Sequence, residues 1–132
     1  MAAKSCMNID LEKLNDFTKT VLHNPDKGRF TFKAETAWQD GSVSKTRARN
    51  YEIETDEPKP LGGTDTAIDP VELLLASVGS CMALGFATQA AKHEIDIKDF
   101  KIETEGDIDV RGYLGIPGVR PGFNNIRYTL KV

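Results

Sequence analysis

The segment DPVELLLASVGSCMALGFATQAAK, residues 69–92, decides the fold of this 132-residue chain. Asp69 stands at the N-cap, Pro70 at the first helical position and Glu72 at the third, a capping box that satisfies two backbone donors at a helix start. No charged residue lies between Glu72 and Lys92, and apolar residues lie nearly all round the helix. Such a helix belongs inside a fold, so we predict a long buried helix from Pro70 to about Lys92.

Alternating apolar and polar residues predict antiparallel strands on both sides of this helix. The predicted strands are residues 29–38, 42–55, 98–110 and 125–132. Asp40-Gly41 is a hairpin signal between the first two strands, and a Gly/Pro-rich loop over residues 112–122 separates the last two. A short amphipathic helix over residues 9–22 precedes them all. The fold class is therefore predicted to be α+β.

The chain length suits one domain with a modest core. We expect residues 1–28 to form a helical extension and residues 29–132 to form the domain. The last residues lie in the middle of the predicted fourth strand, with no element to cover the far side of the sheet. We therefore expect that the C-terminal part of the fold is missing from this sequence.

The charge of the chain argues against some classes of partner. With 28% charged residues and a net charge of -3, it has no electrostatic footprint for nucleic acid or an anionic membrane. Lys45, Arg47 and Arg49 alternate along the second predicted strand and therefore share a face. They form either a small cationic stripe or an ordinary solvated strand face.

The two cysteines, Cys6 and Cys81, are too few and too far apart for a disulfide framework, and no ligand cluster predicts a metal or a cofactor. The N-terminal residues have no apolar stretch typical of a signal peptide, which predicts a cytoplasmic protein. The uncharged stretch Leu73–Ala91 approaches the length of a membrane span. Its Ser, Gly, Thr and Gln residues and the amphipathic strands around it favour a helix inside a soluble domain instead.

Four stretches resemble the OsmC/Ohr superfamily, and more narrowly its OsmC-like branch with a DEPxxLGG loop. They are DEPKPLGGTD at 56–65, DPVELLLASVGSC at 69–81, EGDIDVRGYLG at 105–115 and VRPGFNNIRYTLKV at 119–132. The resemblance covers roughly residues 30–132. It implies an OsmC-like fold, with antiparallel sheets around long central helices, and an intertwined homodimer with active sites near the subunit interface.

The resemblance also implies a chemistry. Well-studied members reduce organic hydroperoxides with a cysteine on the central helix, which corresponds to Cys81 here. The thiolate attacks the peroxide and becomes a sulfenic acid, a second cysteine condenses with it, and a dithiol reductant restores both. That second cysteine normally lies beyond the fourth strand, outside this sequence, and the motif does not support Cys6 in its place.

Two further site residues of the family match less directly. Its glutamate lies ten residues before the cysteine, a position that is Val71 here. Glu72 follows one place later, turned by about 100° around the helix, and capping explains it without catalysis. The family also holds an arginine against the thiolate. No arginine lies between Tyr51 and Val110, so Arg47 and Arg49 are the possible supporting cations.

These observations leave alternatives open. The first is thiol-dependent reduction of organic hydroperoxides with Cys81 as the attacking thiol. The second is a non-enzymatic OsmC-like module that binds a small apolar ligand in the dimer cleft, where Cys81 only lines the pocket. A further alternative is that Cys81 is a buried cysteine with a structural role only. No Cys/His/Asp arrangement supports a cysteine-dependent hydrolase or transferase.

Overall fold

The structure is a computed structural model that describes residues 7–132. Its helices are α1 (Leu11–His23), α2 (Pro70–Lys92) and α3 (Val110–Tyr113), and its strands are β1 (Glu35–Asp40), β2 (Val43–Ala48), β3 (Tyr51–Thr55), β4 (Lys101–Ile108) and β5 (Phe123–Lys131). Short 3-10 helices span Pro25–Gly28 and Lys59–Leu61. The chain divides into two compact units, the first ending at Leu73 and the second running from Leu74 to Val132. The predicted division at residue 28 stays a prediction.

The first unit begins with α1, whose position agrees with the predicted N-terminal helix. The Asp10 carboxylate caps this helix and accepts a hydrogen bond from the backbone N–H of Lys13 at 3.0 Å. The helix ends at Asn24, because the residue before a proline avoids the helical region and Pro25 follows it.

The sheet of the first unit is antiparallel, with strand order β1-β2-β3. The predicted hairpin is confirmed, since β1 and β2 join at Gly41, whose φ of 55° suits glycine. The predicted start of the first strand at residue 29 is wrong, because the strand begins at Glu35. All six β1 residues are exposed in the chain, so the expected half-burial is not found. Alternation indicates which side chains share a face of the strand, but it does not show whether another element covers that face.

The second predicted strand, residues 42–55, is corrected to two strands. The chain reverses at Arg49 and Asn50, and Ala48 pairs with Tyr51 across this two-residue turn. Arg49 has a φ of 57°, in the left-handed region that such turns normally fill with glycine. Without a glycine or proline to mark it, this turn could not be read from the sequence.

The long helix α2 has the predicted bounds, but its predicted burial is wrong for the single chain. Only Ala90 and Ala91 are buried among its 23 residues. Within the second unit, α2 approaches β4 closely where a Cβ added at Gly79 would lie 2.8 Å from the Thr104 hydroxyl oxygen. The sheet of this unit has only two strands, which cannot cover a helix that is apolar on every side.

The second unit pairs β4 with β5 in an antiparallel sheet, from Lys101 opposite Lys131 to Ile108 opposite Phe123. Both strands agree with the predicted ones, with ends shifted by one to three residues. The short helix α3 spans the end of the predicted third strand and the start of the predicted loop, and the Asp109 side chain caps it by accepting from the Arg111 N–H. The α+β class with antiparallel sheets and a long helix is therefore confirmed.

Candidate functional site

Cys81 lies in the middle of α2 and is exposed. The expectation of a buried structural cysteine therefore does not hold in the single chain. Within the described residues, no group of three or more His, Cys, Asp or Glu side chains could hold a metal ion. Cys6 lies outside the described residues. The thiol is thus accessible to a small molecule, which is the first requirement for a reactive cysteine.

The start of α2 has the predicted capping box. The Asp69 carboxylate accepts from the N–H of Val71 at 2.7 Å, and the Asp69 N–H donates to Glu72 Oε2 at 3.2 Å. Glu72 is therefore occupied at the helix start, nine residues before Cys81 on the same helix. At about 1.5 Å of rise per residue, that separation is roughly 14 Å along the axis.

The loop that leads into α2 is organised by Asp56, which is only 1% exposed. Its carboxylate accepts from the Ser42 hydroxyl at 2.5 Å, from the Glu57 N–H at 2.8 Å, and from the N–H and hydroxyl groups of Thr64 and Thr66 at 2.6–3.2 Å. These donors, Ser42 and Thr64 first, lower the pKa of Asp56 far below its usual value. Within residues 7–132, Asp56 thus stays charged without a cation and ties the β1–β2 turn, the loop and the approach to α2 together.

Two further features of this loop concern Glu57. Burial raises the pKa of Glu57, and the nearby carboxylates of Asp69 and Asp56 raise it further. A Cβ added at Gly63 would lie 1.7 Å from the backbone oxygen of Glu57, so no other residue fits there without a backbone shift. The DEPxxLGG motif therefore has a structural reason in this chain, because Asp56 and Gly63 close the loop on itself.

Arg47 is engaged by a neighbouring carboxylate. Its guanidinium donates to Glu52 Oε1 through Nε at 3.1 Å and through Nη2 at 2.6 Å. The two residues are directly opposite in the β2–β3 register, and Glu35 is opposite Arg47 on β1. The hydrogen bond to Glu52 raises the pKa of Arg47. This arginine therefore has fewer free donors than the sequence implied.

Arg49 differs from Arg47, although both line one open groove on the first sheet. The Arg49 guanidinium lies over the ring of Tyr51, 5.0 Å from its centroid, which is a cation–π contact. Among the described residues it makes no ion pair. The groove also contains Lys33 and Glu52, and its volume is about 840 Å³.

The predicted site residues thus fall into two groups. Glu72 and Cys81 share α2, whereas Arg47 and Arg49 share the groove of the first unit. Sequence reasoning missed Asp56, whose signal was an acidic residue followed by the two threonines of GGTDT. It also missed Lys33, which has no signal of its own.

Comparisons with known proteins bear on the family and the fold of this chain. The family model of OsmC-like proteins matches residues 63–132, just over half of the chain, including Cys81. None of the curated proteins searched matches this chain.

Two solved structures are similar in fold. A Psychrobacter arcticus protein, described as an osmotic stress induced and detoxification response protein, has a TM-score of 0.61 and 22% identity over 77% of this chain and 70% of that one. An organic hydroperoxide resistance protein OsmC from Legionella pneumophila has a TM-score of 0.53 and 19% identity over 76% of this chain and 68% of that one. At these identities the likeness establishes the fold alone. The expected OsmC-like fold is therefore confirmed.

The hydropathy of α2 also bears on location. Pro70–Lys92 is long and apolar enough to cross a membrane, with a mean hydropathy of 1.6 over its most apolar window. The core helix of a soluble protein meets the same criterion, and this helix lies in a segment that matches a family of soluble proteins. We therefore interpret α2 as a helix of a soluble fold.

Proposed function

This chain belongs to the family of OsmC-like proteins, and from that premise we propose that it reduces organic hydroperoxides with Cys81 as the attacking thiol. The observation that carries the proposal is the exposed Cys81 on α2, within the segment that matches the family. The Legionella pneumophila protein of similar fold is described as an organic hydroperoxide resistance protein, which is consistent with a role in oxidative-stress defence.

The proposed first step is a two-electron oxidation of the sulfur. The Cys81 thiolate attacks the terminal peroxide oxygen, an S–O bond forms and the O–O bond breaks. The departing alkoxide takes up a proton and leaves as the alcohol, so that the peroxide is reduced and Cys81 becomes a sulfenic acid. Exposure of the thiol supports this step, because the peroxide oxygen must reach the sulfur in line with the breaking bond.

The second step returns the sulfur to its starting state. A thiol of an external dithiol condenses with the sulfenic acid, releases water and forms a mixed disulfide. The second thiol of the same reductant then displaces Cys81 and leaves as an intramolecular disulfide. The proposal therefore needs no second cysteine within residues 7–132, where Cys81 is the free cysteine that the structure describes.

That Glu72, Arg47 or Arg49 supports the Cys81 thiolate stays a prediction. Glu72 is held by the Asp69 N–H and Arg47 by Glu52, so each already has a partner. Arg49 keeps free donors and is the remaining candidate of the three. It belongs to the first unit, and Cys81 belongs to the second.

We also propose that the working protein is a homodimer in the cytoplasm. Large apolar side chains on α2 are exposed in the single chain, with Leu84 at 71% and Leu74 at 45%. On β5, Tyr128 is 60% exposed. Apolar side chains at this exposure favour association, because their burial removes apolar area from water. A second copy of the chain is the partner we propose for these surfaces.

The test is peroxide consumption by the purified protein. Cumene hydroperoxide and a dithiol are supplied, and the loss of peroxide is followed for the wild type and for Cys81→Ser. We expect turnover by the wild type and background consumption by Cys81→Ser. Cys6→Ser is the matched control, because it removes the other thiol, and it should keep wild-type turnover. Equal turnover by Cys81→Ser and the wild type would exclude this function.

The alternative is a non-enzymatic module that binds a small apolar ligand. The exposure of Leu84 and Phe86 on α2 favours it, because a ligand could cover them. In that case Cys81→Ser would bind an apolar dye as the wild type does, and neither protein would consume peroxide. Comparison of the wild type with Cys81→Ser thus separates the two functions.

A further inference from the structure

We propose that the groove on the first sheet binds a small organic anion, with Lys33 and Arg49 holding its oxyanion and Phe32 contacting its apolar body. All residues that line the groove belong to the first unit. The proposal does not rest on the thiol chemistry of Cys81, although Arg49 is also the remaining candidate for a supporting cation there. The volume of the groove is about 840 Å³, and it is an open groove, since nine of its ten lining residues are exposed.

The charges of the groove favour an anion. Four of its ten lining residues are cations, Lys33, Lys45, Arg47 and Arg49, whereas Glu35 and Glu52 are its two carboxylates. The whole chain carries a net charge of -3, so this excess of positive charge is local. An anionic ligand is therefore drawn to this surface although the protein as a whole repels it.

Two of these cations are already neutralised by their neighbours. Arg47 donates two hydrogen bonds to Glu52, and Lys45 lies 3.7 Å from a carboxylate oxygen of Glu54. Lys33 and Arg49 make no ion pair within residues 7–132. The groove therefore retains these two cations, together with one lining carboxylate that has no ion pair among the described residues, Glu35.

The conformation of Arg49 supports a binding role. It occupies the first position of the β2–β3 turn with a φ of 57°, where glycine would be unstrained. Its guanidinium lies over the Tyr51 ring, and a guanidinium stacked on a ring keeps the N–H groups at its edge free. Those N–H groups form a planar fork that matches two oxygens of a carboxylate or phosphate.

Lys33 lies two residues before the first residue of β1, and Arg49 lies in the β2–β3 turn. Both residues line the groove. Arg49 offers a ligand a directional fork, and Lys33 offers a second positive charge.

The apolar part of the ligand has its own surface. Phe32 lines the groove and is 92% exposed, and its ring lies 6.2 Å from that of Phe30. Phe30 in turn lies 6.1 Å from Phe17 of α1, which holds the row of rings in place. An inorganic ion would leave this row uncovered, so an anion with an apolar body fits the groove better. A nucleic acid requires many more phosphate contacts than two cations provide.

The test is a titration of the isotope-labelled full chain followed by the amide shifts of its groove residues. The probes are phenylbutyrate, phenylphosphate and the neutral phenylbutanol, which separate a carboxylate, a phosphate and an apolar body without charge. We expect an anion to bind at least about tenfold more tightly than phenylbutanol, as for one charge-assisted contact. The tighter of the two anions identifies the head group.

The variants locate the site. Arg49→Gln and Lys33→Gln should each weaken binding of the preferred anion by about fivefold to tenfold. Arg29→Gln is the matched control, because it removes an exposed cation outside the groove, and it should leave the affinity unchanged. Arg49→Lys should recover only part of the loss, since it restores the charge without the fork.

Three results would overturn the proposal. They are equal affinity for the anions and phenylbutanol, an equal effect of Arg49→Gln and Arg29→Gln, and no shift of the groove amides by any probe at millimolar concentration. Cys81→Ser should bind the anion as the wild type does. Failure of peroxide turnover and failure of anion binding are therefore distinguishable.

Discussion

The two sheets of this protein carry charges that are arranged differently. On the second sheet, every charge of a cross-strand cluster is paired: Lys101, Arg127 and Lys131 with Glu103, Glu105 and Asp107. The cations on the first sheet, Lys45 and Arg47, are also paired, but beside it Lys33 before β1 and Arg49 in the β2–β3 turn have no ion pair among the described residues. The paired charges of the second sheet attract a charged ligand only weakly, whereas Lys33 and Arg49 can attract an anion. This difference is the basis for proposing a recognition surface beside the first sheet and only a structural role for the charges of the second.

The internal support of the two units differs as well. The first unit contains a buried acceptor, Asp56, which collects six hydrogen bonds and has no cation partner among residues 7–132. The ion pairs of the second sheet lie on its exposed surface, where solvent and salt weaken them. We therefore expect substitutions in the two units to change the free energy of unfolding by different amounts.

The largest effect is expected for Asp56→Asn. The amide keeps the shape but accepts fewer hydrogen bonds, and its own N–H groups face the Ser42, Thr64 and Thr66 donors. We expect a loss of unfolding free energy, measured with urea, several times that of Glu105→Gln on the exposed second sheet. Equal losses for the two variants would contradict the contrast between the units.

The same residue predicts a pH dependence. The folded pKa of Asp56 lies far below its unfolded value, so the unfolded state binds more protons in the acid range. Its contribution to stability is therefore present above the ordinary aspartate pKa and is lost as the pH falls below it. The difference in stability between the wild type and Asp56→Asn should shrink on acidification, and a difference that grows instead would contradict this account.

A smaller effect is expected where α2 meets β4. Gly79→Ala places a Cβ against the Thr104 hydroxyl oxygen, 2.8 Å away, and should destabilise the protein by about 1–3 kcal/mol. Gly85→Ala is the matched control, because a Cβ there meets nothing within 4 Å. It should stabilise the helix by about 0.5–1 kcal/mol. Urea unfolding measures both, and effects of the same sign would contradict the proposed contact.

The paired surface of the second sheet should show a small effect that depends on pH. The Lys131 and Lys101 ammonium groups lower the pKa of Glu103 to about 2 from its usual 4.5. The stability it supplies is thus present above the usual value and is lost as the pH falls toward 2. The destabilisation caused by Glu103→Gln should be small at neutral pH and should vanish in that window. High salt should reduce it too, and insensitivity to both would contradict the pairing.

The smallest change in stability is expected for Arg49→Gly. Glycine relieves the positive φ but loses the contact with Tyr51, so the unfolding free energy should stay within about 1 kcal/mol of the wild type. Arg47→Gly removes the Glu52 pair and puts glycine inside a strand, so it should cost more. A larger loss for Arg49→Gly would mean that Arg49 serves structure instead of recognition.

The sequence predicted the elements that rest on local chemistry. The Asp69 capping box and the absence of charge up to Lys92 predict α2, and a helix cap is a property of a few neighbouring residues. Asp40-Gly41 likewise predicts the β1–β2 hairpin, because the turn requires a positive φ and glycine adopts it readily.

The sequence could not predict features that depend on an unusual residue or on distant neighbours. The turn at Arg49 places an arginine where glycine is normal, and α3 spans the end of a predicted strand and the start of a loop that reads as irregular. The exposure of Cys81 depends on how much of α2 the chain covers, which hydropathy does not reveal. The loss of Arg47 as a free cation follows from the register that brings Glu52 opposite it.

The reactivity of Cys81 is the central claim, and trapping of its sulfenic acid tests it most directly. The protein is treated with one equivalent of cumene hydroperoxide in the presence of dimedone, and the modified residue is identified by peptide mass analysis. We predict that Cys81 carries the adduct in the wild type and in Cys6→Ser, with the alcohol released in equal amount. An unmodified Cys81 beside unconsumed peroxide would contradict the account.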